Sequence, residues 1–331
     1  MQTKAPIIFV QFSVDIPIGI GDHSDKSRSR NVGDLDSVAN LEIPNEQKLN
    51  LLNYFGVCAG HFLEIRAVED IYDKKIYEEL GLVNGQLLII IHSGAMTGKD
   101  ILLENYYYKA IDYVVHNKLF EEKDIYEGVF GIPIQSRIGK SYLQAAIALI
   151  NYSYASRHYS HYLIESLFKK HIDAKSSFEL ISDICHSKII SNDDGSILHA
   201  RGLQTLYPAQ HEHSLEPFKK TGDIGLLAGE KGTSSHLVVP KNNIKNTDYQ
   251  CSHGTGKFNN PGKIDELPQY VHDDIKATVF DTEYDIENML LQDFLNTKTT
   301  LNTLENEFEM IKPVVRLAPF INFWGEKNTY N

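Results

Sequence analysis

Residues 140–170 read KSYLQAAIALINYSYASRHYSHYLIESLFKK and carry apolar side chains at helical spacing for several turns. This periodicity predicts one long helix that packs in the core of the protein. The triplet Gly-Lys-Ser at 139–141 resembles part of a phosphate-binding loop, but that motif requires a glycine where this chain has Ile134. The triplet is therefore interpreted as the start of the helix.

Two short apolar runs outside this helix have the composition of strands. QLLIII at 86–91 is a dense β-branched run, which predicts a buried strand that delivers His92 at its C-terminal end. SSHLVVP at 234–240 follows a glycine-containing turn and is also strand-like. Functional side chains are expected where such strands end.

Two further segments predict helices. DIYDKKIYEELG at 70–81 has apolar residues on one face and a glycine as its stop signal. TLNTLENEFEMIKP at 300–313 predicts an amphipathic helix that ends at Pro313. Because no repeat, low-complexity tract or linker divides the sequence, we expect residues 1–331 to form a single α+β domain with mixed β-sheets, one long core helix and long functional loops.

Composition and charge limit the classes of protein. The chain of 331 residues is 42% hydrophobic and 23% charged, as in globular proteins. It has neither a transmembrane-length apolar run nor a signal peptide pattern, so the expected location is the cytoplasm and no membrane partner is expected. A net charge of −12 argues against a surface that binds nucleic acid all over, but it permits a local basic groove. Three cysteines favour a reducing compartment rather than a disulfide framework.

Four of the fourteen histidines have neighbours that indicate a site. They follow small residues, end a strand-like run or precede glycines, and neutral imidazoles in such places suit Mn, Zn or Fe. They are His61 in AGHFLEI, His92 in IIIHSGAMTGK, His186 in ISDICHSKI and His253 in CSHGTGKF. A further pair, His211 and His213 in QHEHS, is interpreted as part of a solvated loop.

The segment CSHGTGKF at 251–258 offers three candidate nucleophiles. Ser252 lacks the Gly-x-Ser-x-Gly elbow of serine hydrolases, and no base for Cys251 is visible, so that this cysteine is interpreted as a small buried residue. His253 is followed by two glycines, and an imidazole nitrogen can attack a phosphate that glycine N–H groups approach. Nucleotidyl or phosphoryl transfer through a histidine is thus one of several functions left open by the residues alone.

Nine segments, in this order along nearly the whole chain, resemble the RtcB family of RNA ligases. The resemblance implies an RtcB-like α+β fold and the joining of a 3′-phosphate or 2′,3′-cyclic phosphate RNA end to a 5′-hydroxyl end with GTP and manganese. The segments are IPIGIG (16–21), AGHFLEI (59–65), IIIHSGAMTG (89–98), YLQAAIALINYSYASR (142–157), DICHSK (183–188), LHARG (198–202), AGEKGTSSHLVV (228–239), CSHGTGK (251–257) and VVRLAPFINFWG (314–325).

The resemblance also implies roles for individual residues. His253 would take GMP from GTP, and His61, His92 and His186 would bind one or two Mn²⁺ ions. Glu64 would accept hydrogen bonds from the guanine edge. RNA ends, such as those of tRNA, and an accessory protein are the expected partners, and DNA is not. The implied guanylate-binding residues are Gly60, His61, Phe62, Leu63, Glu64, His186, Ser187, Ala228, Gly229, Glu230, Lys231, Ser235, His253, Gly254, Thr255 and Gly256.

The chain departs from the family pattern at several functional positions. The family's N-terminal Asp-x-x-Cys-Gly segment, which completes a two-metal site, has no counterpart here, so the chain is N-terminally short relative to the family. Without that carboxylate and thiolate, three neutral histidines suit a single ion. Two alternatives therefore stand beside the ligase: a degenerate relative that binds one metal and RNA, nucleotide or a protein, and a single-metal phosphoesterase. Gly60 and Ser187 stand where the family has asparagines, and Met96 stands where it has an arginine. Arg201 and Trp324 stand where the family has lysines.

Overall fold

A long helix and an antiparallel sheet organise the protein. The computed structural model describes residues 36–53, 55–56, 62–95, 98–128, 130–191, 196–229, 233–255, 278–279 and 297–324. Its helices are α1 (Asp36–Ala39), α2 (Asn45–Asn53), α3 (Lys74–Glu79), α4 (Gly98–Leu102), α5 (Tyr108–His116), α6 (Glu122–Tyr126), α7 (Arg137–His171) and α8 (Thr297–Asn302). The π-helical turns Leu103–Tyr107 and Thr303–Glu307 and the 3₁₀ turns Glu216–Phe218 and Asn242–Thr247 complete the helical elements described.

Helix α7 confirms the long core helix that periodicity predicts at 140–170. It has 35 residues and begins where the side chain of Ser136 accepts a hydrogen bond from the Gly139 N–H at 3.1 Å. Its last turn is basic, which complements the negative end of the helix dipole. Tyr152 is fully buried in the middle of α7, and its hydroxyl donates to the carbonyl of Leu51 in α2. The N-terminal helices therefore pack against one face of α7.

The main sheet has six strands, in the order β2-β1-β10-β7-β6, with β9 pairing to β10. The β9–β10 pair is parallel and the other pairs are antiparallel, so the expected mixed α+β class is confirmed. The central strands are buried, and β7 has no exposed residue. The strands are β1 (Phe62–Ile71), β2 (Leu87–His92), β6 (Gly225–Leu227), β7 (Ser235–Pro240), β9 (Thr278–Val279) and β10 (Ile311–Trp324).

Two short antiparallel ladders lie outside this sheet and position the site. The first pairs β3 (Ser187–Ser191) with β4 (Ile197–Arg201), and the second pairs β5 (Leu203–Thr205) with β8 (Gln250–Ser252). Only Gly202 separates β4 from β5, so the two ladders meet at that glycine. Within the residues described, no helix combines the length and apolar character that crossing a bilayer requires.

The predicted strand at 86–91 exists, but the prediction that it is buried is wrong. Strand β2 occupies an end of the sheet among the described strands, and most of its residues are half-buried. A dense β-branched run is also compatible with a strand that has one neighbour and packs on one face. The prediction that His92 stands at its C-terminal end is confirmed.

Both shorter predicted helices have different limits in the structure. At 70–81, only Lys74–Glu79 is helical, because the side chain of Asp73 caps the helix by accepting from the Ile76 N–H, and the two residues at 70–71 complete β1. At 300–313, the helical part ends at Glu307. Pro313 does not end that helix but lies inside β10 beside a register shift, where the absence of an N–H is tolerated.

Candidate functional site

Three histidines from distant parts of the sequence converge. His92 ends β2, His186 directly precedes β3, and His253 directly follows β8. The Nε2 atoms of His92 and His186 lie 2.9 Å apart, and the His186 and His253 rings stack with centroids 4.1 Å apart. One ligand nitrogen from each of the three lies within 4.8 Å of the others. The three residues could therefore hold one metal ion between them.

The imidazole of His253 is held in one tautomer by the backbone. Its Nδ1 lies 2.8 Å from the carbonyl oxygen of Gly202, which can only accept, so Nδ1 carries the proton. The lone pair is therefore on Nε2, which is the nitrogen left for a metal or a phosphorus atom. Burial lowers the pKa of His253, against the opposing effect of the hydrogen bond to Gly202. The ring is accordingly neutral near pH 7.

Gly202 is the backbone residue that joins two of these histidines. Its carbonyl accepts from His253, while its N–H donates to the carbonyl of His186 at 2.7 Å. Its φ of +74° lies in the left-handed region, which a residue with a Cβ adopts at a cost. The sequence places this glycine in LHARG but gives no signal of its role, because both contacts are made through space by backbone atoms.

Helix α7 supports the segments that carry His92 and His186. The guanidinium of Arg157 donates from Nε to Asp183 at 2.7 Å and from Nη1 to the carbonyl of Ser93 at 3.1 Å. Ser93 follows His92, and Asp183 lies three residues before His186. Burial raises the pKa of the Asp183 carboxyl, but the Arg157 charge and His158 hold it below its usual range. The carboxylate therefore stays ionised against the guanidinium.

Two neighbouring residues of α7 hold the same segments. The hydroxyl of Ser153 accepts from the Ala95 N–H at 3.0 Å, and the hydroxyl of Tyr154 accepts from the Cys185 N–H at 3.2 Å. Cys185 directly precedes His186 in the chain. One turn and a half of α7 thus anchors both histidine-bearing segments.

Neither described cysteine has the properties of a nucleophile. Cys251 is 1% exposed, and burial raises the pKa of its thiol to about 12, so that the thiolate is absent at neutral pH. Cys185 is buried, and its thiol donates to the carbonyl of Ser187 at 3.0 Å. The interpretation of Cys251 as a small buried residue is confirmed, and Cys185 is buried as well.

The backbone beside His253 packs closely on the segment that follows β6. Ala228 donates to the His253 carbonyl at 2.9 Å and accepts from the Thr255 N–H at 3.2 Å, forming a parallel bridge with Gly254. A Cβ on Gly254 would lie 3.1 Å from the Ala228 oxygen, and a Cβ on Gly229 would lie 2.2 Å from a carbonyl oxygen. Close backbone approach therefore requires glycine at 229, and a side chain at 254 would make a tight contact with Ala228.

The remaining predicted residues that the structure describes lie on β1, β3 and β7. The Phe62 ring stacks on His92 at 4.5 Å, Leu63 is a core residue, and Ser235 accepts from the Gly229 N–H at 2.9 Å. The Ser187 hydroxyl lies 3.5 Å from Nδ1 of His186. Five predicted residues lie outside the described parts of the chain, namely Gly60, His61, Glu230, Lys231 and Gly256.

Glu64 lies in a buried ion pair that the sequence does not reveal. Its carboxylate accepts from Nε of Arg66 at 2.6 Å, and the two side chains are 2% and 0% exposed. Arg66 also donates to the carbonyl of Thr233, next to the segment that packs on His253. Their i, i+2 spacing on a strand is compatible with two side chains on one face, but the sequence does not show that both are buried.

The three-histidine group fits a divalent metal by chemistry as well as by spacing. An ion with bonds of about 2.0–2.1 Å to imidazole nitrogens in tetrahedral geometry separates those nitrogens by about 3.3 Å, which is close to the 2.9 Å between His92 and His186. Among the described residues, the group contains neither a carboxylate nor a thiolate. Three neutral donors suit one borderline divalent ion. The predicted ligands His92 and His186 are thus brought together, and His253 joins them.

The family model described as tRNA-splicing ligase RtcB matches residues 10–323. The chain belongs to the RtcB family. The match covers the long helix, all three histidine-bearing segments and most of β10. The resemblance carried by the nine short segments is therefore confirmed over nearly the whole chain.

Curated RtcB relatives are identical to this chain at about a quarter of the aligned positions. A tRNA-splicing ligase RtcB of Nanoarchaeum equitans is 26% identical over 272 residues, covering 76% of this chain and 54% of the relative. One of Pyrococcus horikoshii is 25% identical over 210 residues, covering 60% and 24%. An RNA-splicing ligase RtcB homolog 2 of Entamoeba dispar is 27% identical over 211 residues, covering 60% and 39%. The matched regions thus span about half or less of these relatives.

Proposed function

We propose that this chain acts as an RNA ligase of the RtcB type, which joins a 3′-phosphate or 2′,3′-cyclic phosphate RNA end to a 5′-hydroxyl end and uses GTP and manganese. The observation that carries the proposal is the state of His253. Its Nδ1 is committed to Gly202, its ring is neutral, and Nε2 is left as the nitrogen with a lone pair in a residue that lies beside His92 and His186. A neutral imidazole beside a cation site is suited to attack on a phosphate.

In the proposed first step, Nε2 of His253 forms a bond to the α-phosphorus of GTP, and the bond to the departing pyrophosphate breaks. The hydrogen bond from Nδ1–H to the Gly202 carbonyl stabilises the positive charge that develops on the ring during the attack. The guanylate then passes to the RNA 3′-phosphate, and it leaves when the 5′-hydroxyl oxygen attacks that phosphorus. GTP is thereby split into GMP and pyrophosphate, which drives the joining.

The residues that would hold the metal are His92 and His186, with His61 as a further expected ligand. Nε2 of His253 could contribute only until it attacks, because the same lone pair would have to leave the ion to form the bond to phosphorus. A bound Mn²⁺ would neutralise phosphate charge and polarise the phosphorus–oxygen bonds. The backbone of Ala228, Gly229 and Gly254, which packs beside His253, would border the guanylate. An adjacent accessory protein stays a prediction.

For Glu64 to recognise guanine, its carboxylate would have to accept from the base and from Arg66 at the same time. Because Nε of Arg66 already donates to one carboxylate oxygen, the guanine edge would share this carboxylate with the guanidinium. The pair would be fixed before the base arrives, and a preorganised carboxylate loses less conformational entropy on binding. Guanine over adenine is the selectivity that such an acceptor supports.

A second candidate function is a protein that binds one ion and RNA or nucleotide without joining ends. The all-imidazole group of the described residues favours it, because a pair of adjacent dications needs anionic ligands. The same observation supports a phosphoesterase that uses a single metal. These candidates and the ligase differ in whether a covalent guanylate forms on the protein.

The test is guanylylation with α-labelled GTP and Mn²⁺. We expect an acid-labile labelled protein that is absent from His253→Ala and present in His116→Ala, an exposed histidine at the end of α5. Label that persists in His253→Ala would contradict the assigned nucleophile. Absence of label from the wild-type protein at every metal concentration would favour the second candidate.

A further inference from the structure

Four aromatic rings form a cluster beside the β5–β8 ladder. Tyr207 stacks on His211 with centroids 4.6 Å apart, and Tyr249 contacts both rings at 5.0 and 4.6 Å. His213 lies 5.4 Å from Tyr207, and its side chain is 62% exposed. We call these four residues the Tyr–His cluster. The prediction of a solvated loop holds for His213 but is wrong for His211, which is half-buried against the tyrosines.

A buried carboxylate holds the base of the Tyr–His cluster. Asp223 is 4% exposed and accepts from the Tyr207 N–H at 2.8 Å and from the Ser214 hydroxyl at 3.1 Å. The Tyr207 carbonyl accepts in turn from the Asp223 N–H at 2.9 Å. The segment with the two histidines and the segment with Tyr207 are therefore tied to one residue, so the rings are held in place.

The backbone of the cluster is strained. Gln210, Asp248 and Tyr249 have φ values of +64°, +50° and +61°, and they are three of the five described non-glycine residues with positive φ. Such conformations are energetically unfavourable for residues with a Cβ and persist where function or packing requires them. At Tyr249, the left-handed turn precedes β8 and directs the ring toward Tyr207 and His211.

The cluster and the proposed nucleophile stand at opposite ends of one short ribbon. His253 follows β8 and Tyr249 precedes it, while the Leu206 N–H donates to the Tyr249 carbonyl at the same end. Three residue pairs of antiparallel ladder lie between, a length of about 10 Å. That length corresponds to about three stacked nucleotides at 3.4 Å each.

The chemistry of the cluster fits nucleobases. Partly exposed aromatic rings provide stacking surfaces for unpaired bases without requiring a particular sequence. Lys219 donates to the carbonyls of His211 and Glu212, which places a cation under the same loop for a phosphate. The protein as a whole has a net charge of −12, so attraction over its entire surface does not supply affinity for RNA, and stacking on these rings is a local source of it.

We propose that the Tyr–His cluster binds unpaired bases of the RNA strand whose 3′-phosphate reaches His253, about three nucleotides from that end; this inference rests on the proposed function. The cluster sets the minimum length of strand that the protein recognises at full affinity. Shorter strands reach His253 but not the rings.

The test compares two fluorescent single-stranded RNAs with 3′-phosphates, a dinucleotide and a hexanucleotide, by anisotropy. Tyr249→Leu keeps an apolar side chain without a π-face, and His213→Ala removes an exposed ring at little structural cost. For each variant we expect between about fivefold and about a hundredfold weaker binding of the hexanucleotide, and unchanged binding of the dinucleotide. The matched control is Tyr126→Ala, a tyrosine on α6 that is 85% exposed.

Equal binding of the hexanucleotide by the variants and the control would overturn the inference, as would equal losses for both RNAs. Thermal unfolding of each variant shows whether weaker RNA binding comes from loss of the ring or from loss of the fold. If Tyr249→Leu does not fold, His213→Ala still tests the inference. Guanylylation by GTP is measured in parallel. If the protein is not guanylylated but the variants still lose binding of the hexanucleotide alone, the proposed ligase is contradicted and the inference stands. If guanylylation is normal but the variants bind both RNAs as the control does, the inference is contradicted and the proposed ligase stands.

Discussion

The imidazole of His253 uses its two nitrogens for different purposes. Nδ1–H is fixed on the Gly202 carbonyl, and this contact determines that Nε2 carries the lone pair. Burial keeps the ring neutral, so the lone pair is available near pH 7. At the residue scale, the site therefore depends on a backbone carbonyl as much as on the histidines.

Substitution of Gly202 by alanine tests this dependence. Its φ of +74° makes Gly202→Ala unfavourable by about 1–2 kcal/mol, and relaxation of φ would rotate the groups that hold His186 and His253. We expect weaker Mn²⁺ binding, measured by calorimetry, and lower guanylylation. Gly85→Ala is the matched control, because Gly85 has a φ of +77° and nothing within 4 Å of its Cβ. Equal metal affinity in the two variants would contradict the role of Gly202.

His236 predicts a distinct pH dependence of stability. Burial, together with Arg316 and Arg66, lowers its pKa to about 4 from 6.5. Between these values the unfolded chain binds more protons than the folded one, so the stabilisation from a neutral His236 is complete above about pH 6.5 and is lost as the pH falls toward 4. The loss amounts to about 3 kcal/mol.

Urea unfolding of the wild-type protein and His236→Gln at pH 7 and pH 4.5 measures this effect. We expect the free energy of unfolding to fall more between these pH values in the wild-type protein than in the variant. Parallel decreases in both proteins would show that other groups account for the acid sensitivity.

At the element scale, α7 combines a core role with support of the site. Its apolar face could be predicted from periodicity, since that pattern depends on the sequence alone. The partners of Ser153, Tyr154 and Arg157 could not, because their acceptors and donors lie 58, 31 and 26 residues away in other segments. Pro313 was misleading for a related reason, since only its pairing with β7 shows that it lies in a strand.

Substitution of Arg157 by lysine tests whether α7 positions the metal-binding histidines. Lysine lacks the planar guanidinium that donates from two separate nitrogens to Asp183 and the Ser93 carbonyl, so Arg157→Lys would loosen the segments that carry His92 and His186. Loss of such supporting contacts lowers metal affinity by about 10- to 100-fold. Titration with Co²⁺ followed by its visible absorbance measures both the affinity and the ligand geometry.

Ile164→Val is the control for Arg157→Lys, because Ile164 is a buried residue of the same helix about 10 Å further along. If the two variants bind Co²⁺ equally, Arg157 contributes to the fold but does not position the histidines. An altered absorbance band in Arg157→Lys alone would support positioning.

At the scale of the whole molecule, the histidine group links three segments whose successive histidines are 94 and 67 residues apart in sequence. The sequence could identify His92, His186 and His253 through their motifs, but it could not show that His253 shares the ion site, because that depends on how the two ladders meet at Gly202. The buried Glu64–Arg66 pair was equally hidden. Motifs identify the chemistry here, and only the fold gives the distances.

An ion that binds this group stabilises the folded chain as a whole. At a metal concentration of about 100 times the Kd, the gain is about 2.7 kcal/mol, which raises Tm by about 4 °C in a protein of 331 residues. We expect this increase with Mn²⁺ in scanning calorimetry, its reversal by a chelator and its absence from His92→Ala. A similar increase in His92→Ala would place the ion elsewhere.

The position of the guanylate on the protein tests the central claim most directly. The protein is incubated with GTP and Mn²⁺, digested under mildly alkaline conditions, and analysed by peptide mass spectrometry with fragmentation. A single guanylate on the imidazole of His253 is the predicted result. A guanylate on a lysine or on another histidine, or a protein that stays unmodified while it binds both Mn²⁺ and GTP, would contradict the claim that His253 is the nucleophile.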